Sequence, residues 1–204
     1  MEKHVDVVVI GAGSGGLGVA LYTSKMGMKT LVLERHNLPG GAVTSFVRGR
    51  FEFEAALHEA CEVGPEGTCT LFLTGMTFGD VWNGVKPEEY RHEKQKIASQ
   101  MIDQAEQAMG IDIRSHIEEI EIACAPTFVR YMGTPNGTPY GYQVKTNDGI
   151  PMRCMNEGEY HQIPGLHFCG ATGILTDGFN CACMSGAKSA QYAVEKIKAE
   201  SKAR

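Results

Sequence analysis

The sequence predicts an α/β fold, because an apolar strand, a glycine-rich turn and a helix follow one another near both ends of the chain. Near the N-terminus, Val5 to Ile10 is short and β-branched apart from Asp6, which is typical of a strand buried on both faces. Near the C-terminus, GLHFCGATG (165–173) predicts a short strand that ends in glycine, and residues 177–197 predict a glycine turn that leads into a long helix.

The N-terminal strand leads into the pattern G-x-G-x-x-G at residues 11–16. Residues 17–26 carry apolar side chains at helical spacing, and Gly27 is typical of a helix end. Residues 29–33 predict a second strand, and Glu34 stands at its end. This order of strand, glycine turn, helix, strand and acid predicts a dinucleotide-binding unit of the Rossmann-like type.

Each part of this unit has a physical task in holding a dinucleotide. Gly11 permits the tight turn, Gly13 has no side chain to keep a pyrophosphate away from the backbone, and Gly16 lets the helix pack closely on the strand. The helix N-terminus offers free N–H groups and the positive end of its dipole to the phosphates. Glu34 can accept hydrogen bonds from a ribose diol, which favours a nucleotide without a 2′-phosphate on that ribose.

The first motif does not distinguish NAD from FAD, but the following segments favour FAD. The paired glycines Gly40 and Gly41 provide a second close backbone approach beside the same ligand. The segment SFVRGRFEFE (45–54) predicts a hairpin, where a plain NAD-binding domain would continue with another helix and strand. The C-terminal backbone at residues 178–180 could place N–H groups at the edge of a ring system. An NAD-binding protein is therefore the less favoured alternative.

Three parts of the chain resemble the phytoene desaturase and carotenoid isomerase family of FAD-dependent oxidoreductases, which includes retinol saturase-like proteins. They are roughly the first fifty residues, the stretch from EEYRHEKQ to GTPYGY (88–142), and GLHFCGATGILTDGFNCACMSGAKSA (165–190). The resemblance implies FAD as the cofactor and a Rossmann-like FAD-binding domain of the glutathione-reductase type with a reduced helical and loop-rich second region.

The resemblance also implies which residues contact the cofactor. The glycine turn and the acid at the end of the second strand would contact the ADP half, the paired-glycine segment would lie along the pyrophosphate and flavin, and the C-terminal residues would bracket the ribityl chain and isoalloxazine. In that order they are Gly11, Ala12, Gly13, Ser14, Gly15, Gly16, Glu34 and Arg35; Gly40, Gly41, Ala42 and Val43; and Gly170, Ala171, Gly178, Phe179 and Asn180.

The chain departs from the family in two residues and in length. Family members often carry Arg at the position of Ala42 and Gly-Asp at the position of Gly170-Ala171, so polar contacts to the cofactor are lost. Most of the inserted substrate domain is also missing. The expected organisation is an FAD-binding domain formed by residues 1–66 and 145–204, with residues 67–144 as the remnant of the substrate region.

The middle of the chain predicts a surface helix from Pro87 to Met109 that ends at Gly110, and a strand from Ile117 to Ala123. The segment that begins at Pro126 predicts loops. By the resemblance, four of its residues are candidates for lining a site, although loop packing explains them equally well. These four are Thr127, Arg130, Tyr131 and Tyr140.

Several classes of function find no support in the composition. The net charge of −5 without a basic block gives no reason to expect nucleic acid, and the longest apolar run is too short for a membrane span. Seven cysteines without a C-x-x-C pair favour reduced thiols in the cytoplasm, and the Cys181/Cys183 pair is best explained as core thiols. The histidines lack metal-ligand spacing, so no metal is expected, and His58 beside Glu59 is more simply structural than an acid–base residue.

The sequence therefore predicts an FAD-dependent oxidoreductase that transfers a hydride between flavin and a C–C or C=C bond of an apolar or unsaturated substrate. No catalytic side chain can be assigned. The alternative is a non-catalytic flavin-binding subunit, completed by oligomerisation or by a partner chain. A shortened chain without activity also stays open at this point.

Overall fold

The computed structural model describes residues 4–54, 65–75, 79–138, 163–173 and 178–203. The chain divides into two compact units. The first unit comprises Met1–Thr44 and Tyr140–Arg204, and the second comprises Ser45–Pro139.

The first unit begins with strand β1 (Val7–Ile10), helix α1 (Ser14–Lys25) and strand β2 (Thr30–Leu33). The two strands pair in parallel, with Val7 opposite Thr30 and Ile10 opposite Leu33. The predicted order of strand, glycine turn, helix and strand is thus confirmed, although α1 begins at Ser14 rather than Leu17. Gly27 has a φ of 83°, in the left-handed region that glycine adopts without strain, and follows the end of α1 as predicted.

The last helix of the chain, α4 (Gly178–Lys202), packs against α1. The helices approach closely because the contact is made by small residues: a methyl group on Gly186 would lie 2.2 Å from the Gly15 carbonyl oxygen. Beside this contact, Val9, Val19 and Ala190 form the buried core of the first unit. The long C-terminal helix predicted from the sequence is therefore confirmed, and its close contact with α1 positions the N-terminal glycine turn.

One face of the β1–β2 sheet is exposed, so the prediction that β1 is buried on both faces is wrong. Val8 is 50% exposed and Ile10 is 87% exposed, and Leu31 and Leu33 on the neighbouring strand are also exposed. The N-terminal strand was expected to be buried on both faces, but only its Val7 and Val9 side packs against the core. The cause is that α1 and α4 cover one face, whereas no described element covers the other.

The predicted C-terminal strand is also corrected. Residues 166–169 belong to no strand in the described part of the chain, and a short 3₁₀ turn, Gly170–Thr172, follows them. Two serines of α4 hold this segment instead. The Ser189 hydroxyl donates to the Phe168 carbonyl over 2.8 Å, and the Gly170 N–H donates to the Ser185 hydroxyl oxygen over 2.8 Å. Side-chain hydroxyls thus bind the backbone groups that a neighbouring strand would otherwise bind.

The second unit contains the predicted hairpin and the predicted surface helix. Strands β3 (Ser45–Arg48) and β4 (Phe51–Glu54) pair antiparallel, with Ser45 opposite Glu54. Helix α2 (Tyr90–Met109) is confirmed, as is its end at Gly110. It begins at Tyr90, and Pro87 lies in the turn that precedes it rather than at the first helical position.

Two predictions for the region after α2 are wrong. Residues 117–123 form no strand, and helix α3 (Ala125–Met132) replaces the loop expected from Pro126 onward. Proline is accepted in the first turn of a helix, and here the Cys124 and Thr127 side chains form a capping box around it. Acidic side chains of this segment form ion pairs with arginines of the hairpin, such as Glu121 with Arg48 Nε over 2.6 Å, and no backbone ladder is formed by residues 117–123.

None of the helices in the described part of the chain is both long enough and apolar enough to span a membrane.

Candidate dinucleotide-binding site

Three glycine segments from distant parts of the sequence meet in the first unit. Gly13 forms an isolated parallel bridge with Gly40, and the Gly40 N–H donates to the Ala12 carbonyl over 2.7 Å. A methyl group on Gly15 would lie 2.3 Å from the Gly170 nitrogen. The turn at 11–16, the paired glycines and the C-terminal glycine segment are therefore in backbone-to-backbone contact, a distance that only residues without side chains allow.

The first of these segments is the N-terminus of α1. Gly13 is the N-cap residue, no side chain caps the helix, and its first turn has no acidic residue. The leading N–H groups of a helix lack intrahelical partners, and the helix dipole gives this end a partial positive charge. The end of α1 therefore has the chemistry that a pyrophosphate requires.

Two glycines of the turn have different surroundings. Gly13 has ordinary backbone angles (φ −74°, ψ 177°), and a methyl group there would meet only the Gly41 Cα atom, at 4.0 Å. By contrast, a methyl group on Gly16 would lie 1.9 Å from the Gly11 carbonyl oxygen. Gly16 is thus required by the packing of the protein itself, whereas Gly13 leaves space in front of the helix.

Glu34 lies at the end of β2 and faces the turn. Its Oε2 accepts a hydrogen bond from the Ala12 N–H over 2.5 Å, and its Oε1 accepts one from the His36 N–H over 2.8 Å. The backbone N–H groups of His36 and Ala12 lower the pKa of Glu34 below the ordinary glutamate value. The carboxylate is exposed and anionic, and its remaining lone pairs can accept from hydroxyl groups. Arg35 beside it is exposed.

The paired-glycine segment continues into a 3₁₀ turn, Gly41–Val43. Ala42 in this turn is half-buried and Val43 is exposed. Because Gly40 pairs with Gly13, the turn lies next to the start of α1.

The C-terminal residues lie on the 3₁₀ turn and on the first turn of α4. Gly170 contacts Gly15, and Ala171 follows it in the turn. Gly178, Phe179 and Asn180 form the first turn of α4, with Phe179 half-buried and its two neighbours exposed. The start of α4 is tied to the start of α1 by the Cys183 thiol, which donates to the Ser14 carbonyl over 3.7 Å.

Sequence reasoning did not find Ser185 and Ser189, which are fully and almost fully buried and hold the segment around Gly170. The available signal was their spacing of four on one face of a long helix, next to Gly186. Cys169 lies in the same place, and burial raises the pKa of its thiol. A buried thiol with a raised pKa is a packing group rather than a nucleophile.

The candidates in the second unit have structural partners. The Thr127 hydroxyl hydrogen bonds to the Tyr90 hydroxyl over 2.7 Å and caps α3, and burial raises the pKa of Tyr90. Arg130 and Tyr131 are exposed on α3. The remaining candidates lie outside the described residues: Tyr140, His58 and Glu59.

The second unit also has an open cavity of about 340 Å³. It lies between one face of α2, from Arg91 to Ile102, and the extended residues 119–122. Within the described ranges, no group of three or more His, Cys, Asp or Glu side chains is arranged to hold a metal ion.

The chain matches one family model and is similar to several known proteins. The model of the FAD dependent oxidoreductase family matches residues 6–122, more than half of the chain. An all-trans-retinol 13,14-reductase of Danio rerio is 36% identical over 81 residues, which are 40% of this chain and 13% of that protein. A thioredoxin reductase of Bacillus subtilis is 36% identical over 98 residues, which are 44% of this chain and 29% of that protein.

A limonene dehydrogenase subunit of Castellaniella defragrans is 42% identical over 65 residues, which are 31% of this chain and 12% of that protein. No solved structure matches the chain at a significant level. The matched regions thus span between 12% and 29% of the length of these three relatives.

Proposed function

Because the chain belongs to the FAD dependent oxidoreductase family, we propose that its first unit holds FAD and that the protein transfers a hydride between flavin and a carbon–carbon bond of an apolar, unsaturated substrate. The observation that carries the proposal is the backbone contact of the three glycine segments around the uncapped N-terminus of α1. Family membership confirms FAD as the cofactor predicted from the sequence, and the retinol reductase relative supports the phytoene desaturase-like resemblance.

In this proposal, the residues of the first unit bind and orient the cofactor. The N–H groups at the start of α1 hold the pyrophosphate, and Glu34 accepts hydrogen bonds from the adenosine ribose. The backbone at 40–43 and at Gly170 lines the part of the cofactor that leads to the flavin. Bound FAD supplies the hydride chemistry, while the protein supplies position and electrostatics. The unneutralised end of α1 favours a dinucleotide because it attracts negative charge.

The substrate class is inferred from two relatives. Their names refer to retinol and to limonene, both of which are apolar and unsaturated. Neither name determines the substrate of this chain, since the matched regions are 13% and 12% of those proteins. We therefore propose the class of substrate and leave the direction of hydride transfer to experiment.

The test begins with purified protein. We expect a yellow protein with the absorption bands of oxidised flavin, and we expect FAD by mass after denaturation. Anaerobic incubation with all-trans-retinol or limonene, with dithionite as the reductant control, then tests for flavin reduction by substrate or for reoxidation by an unsaturated acceptor. A nicotinamide nucleotide in place of FAD would contradict the cofactor assignment.

The second candidate function is a flavin-binding subunit that is completed by another chain. It is supported by the exposed apolar face of the β1–β2 sheet, since such faces usually mark contacts with another element or protein. It is also supported by the limonene dehydrogenase relative, whose name describes it as a subunit. Such a protein would bind FAD but show no flavin reduction alone, and sedimentation would detect a larger particle with its partner. Turnover by the isolated monomer would contradict this candidate.

A further inference from the structure

We propose that Glu34 is a positioning residue for the glycine turn, acting on the turn even when no ribose is present. This inference rests on the proposed FAD site but goes beyond the ribose contact assigned to Glu34 there. The carboxylate joins two parts of the backbone: its Oε2 accepts from the Ala12 N–H over 2.5 Å, and its Oε1 accepts from the His36 N–H over 2.8 Å. The end of β2 is thereby tied to the turn that follows β1.

The hydrogen bond from Ala12 to Glu34 fixes the glycine turn through the backbone of Ala12. Ala12 is 3% exposed and directly precedes Gly13, the N-cap of α1. Its carbonyl accepts from the Gly40 N–H over 2.7 Å, so both of its backbone polar groups are held from outside the turn. With both groups fixed, the peptide plane that leads into Gly13 has one orientation, and the space in front of α1 keeps its shape.

The negative charge of Glu34 is what makes this contact possible. The Ala12 and His36 N–H groups donate to different oxygens of Glu34, and a glutamine amide in the same position would place its donor NH₂ group against one of them. Hydrogen bonds to an ionised carboxylate are also stronger than those to a neutral amide. Each carboxylate oxygen has a further lone pair, so holding the turn does not prevent Glu34 from binding a ribose diol.

The chain offers a matched control at the other end of the same two strands. Asp6 precedes β1, and its Oδ2 accepts from the Lys29 N–H over 2.8 Å, directly before β2. This bond has the same chemistry as the Glu34–Ala12 bond. It lies away from the glycine turn, so its loss affects the strand pair without affecting the residues that surround the nucleotide.

The experiment measures the affinity of the full chain, freed of flavin, for ADP and for 2′,3′-dideoxy-ADP by calorimetry. Dideoxy-ADP keeps the pyrophosphate but has no ribose hydroxyls for Glu34 to bind. We expect Glu34→Gln to weaken dideoxy-ADP binding about tenfold, the loss of one charge-assisted hydrogen bond. Asp6→Asn should leave the affinity for dideoxy-ADP unchanged. Thermal unfolding of each variant confirms that the protein measured is folded.

Two results separate this inference from the proposed function. If Glu34→Gln weakens the binding of ADP but not that of dideoxy-ADP, Glu34 acts only through the ribose and the inference is wrong. The proposed FAD site is not contradicted by that result. If the unsubstituted protein binds neither ADP nor FAD, the proposed site itself is wrong, and the inference falls with it.

A measurement on the unsubstituted protein covers the case in which Glu34→Gln does not fold. In nucleotide-free protein labelled with ¹⁵N, the Ala12 amide proton should shift as Glu34 titrates at acid pH, since the bond depends on the carboxylate. The Lys29 amide should respond to Asp6 in the same way, as an internal reference. An Ala12 amide that does not move while the Lys29 amide does would overturn the inference.

Discussion

At the scale of single residues, Gly13 and Gly16 show how one motif serves two purposes. A side chain on Gly16 would collide with the Gly11 carbonyl oxygen at 1.9 Å, whereas one on Gly13 would extend into open space beside Gly41. Gly16 is therefore a requirement of the fold, whereas for Gly13 we propose that the ligand, and not the packing of the protein, requires glycine. Substitutions at the two positions should separate stability from cofactor binding.

The first prediction concerns Gly16. Gly16→Ala should lower the free energy of unfolding by about 1–3 kcal/mol, the usual cost of forcing extra atoms into a packed site. Equilibrium unfolding in urea measures it. Gly84→Ala is the control, since a methyl group there has no atom within 4 Å and should change stability by less than about 0.5 kcal/mol. Equal midpoints for the two variants would show that the turn has room to adapt.

The second prediction concerns pH. The pKa of Glu34 is lowered in the folded protein, first by the His36 N–H and then by the Ala12 N–H. A group whose folded pKa is depressed stabilises the protein above its unfolded pKa, and this contribution is lost as pH falls through the folded pKa.

Urea midpoints of the unsubstituted protein should therefore decrease on acidification below the ordinary glutamate range. The decrease should be smaller in Glu34→Gln, because glutamine does not titrate. Asp6, whose pKa is lowered first by the Lys29 N–H, contributes in the same direction in both proteins. Parallel pH profiles for the two proteins would contradict the bonding of the Glu34 carboxylate.

At the scale of elements, the segment before Gly170 is held by a helix rather than by a sheet. Ser185 and Ser189 on α4 bind backbone groups of Gly170 and Phe168. This arrangement explains why residues 166–169 follow an apolar pattern without forming a strand. The C-terminal glycine segment consequently depends on α4 for its position beside Gly15.

The third prediction tests this dependence. Ser185→Ala should lower the free energy of unfolding, measured in urea, by about 1–3 kcal/mol, because it leaves the Gly170 N–H without its acceptor. FAD affinity should fall with it, since the segment loosens that we propose to line the part of the cofactor leading to the flavin. Ser201→Ala is the matched control: the Ser201 hydroxyl donates to the Ile197 carbonyl over 2.8 Å, as the Ser185 hydroxyl donates to the Ala182 carbonyl over 2.8 Å, but Ser201 lies on the exposed last turn of α4. If the two variants lose equal stability, the segment does not depend on Ser185.

The elements that the sequence predicted correctly are those with a strong local pattern. The strand, glycine turn and helix at residues 7–25, the hairpin and α2 all follow from periodicity and turn residues within a short window. The sequence does not predict helix α3 because Pro126 indicates a loop, whereas in the structure the capping by Cys124 and Thr127 makes this proline part of the first turn of a helix. The prediction of a strand at 117–123 was wrong: Glu118 and Glu121 of this segment form ion pairs with arginines of the hairpin, and residues 117–123 form no backbone ladder.

At the scale of the whole molecule, the candidate site joins residues that are far apart in sequence. The glycines could be predicted because each has a local reason to be glycine, and the resemblance supplied their common ligand. The contacts between Gly15 and Gly170, and between Glu34 and Ala12, depend on the packing of α1, β2 and α4 together. Sequence pattern does not specify such contacts, and the supporting serines were missed for the same reason.

The exposed apolar sheet face belongs to this scale as well. A strand pattern that is apolar on both sides predicts burial on both sides, and in the first unit only one side is covered. The sequence signal was correct about the chemistry of the strand. The local sequence pattern does not indicate whether another element packs on each face of the strand, and in the described residues only one face is covered.

The central claim is that the backbone around Gly13 holds FAD, and an FAD titration of Gly13→Leu against the unsubstituted protein tests it most directly. A Cβ atom at this position would meet only the Gly41 Cα atom, at 4.0 Å, and we expect the leucine side chain to extend into the space in front of α1. The variant should therefore fold with a loss of about 1 kcal/mol at the N-cap. We predict FAD binding at least about tenfold weaker, and a colourless purified variant. A folded Gly13→Leu protein with unchanged FAD affinity would contradict the account.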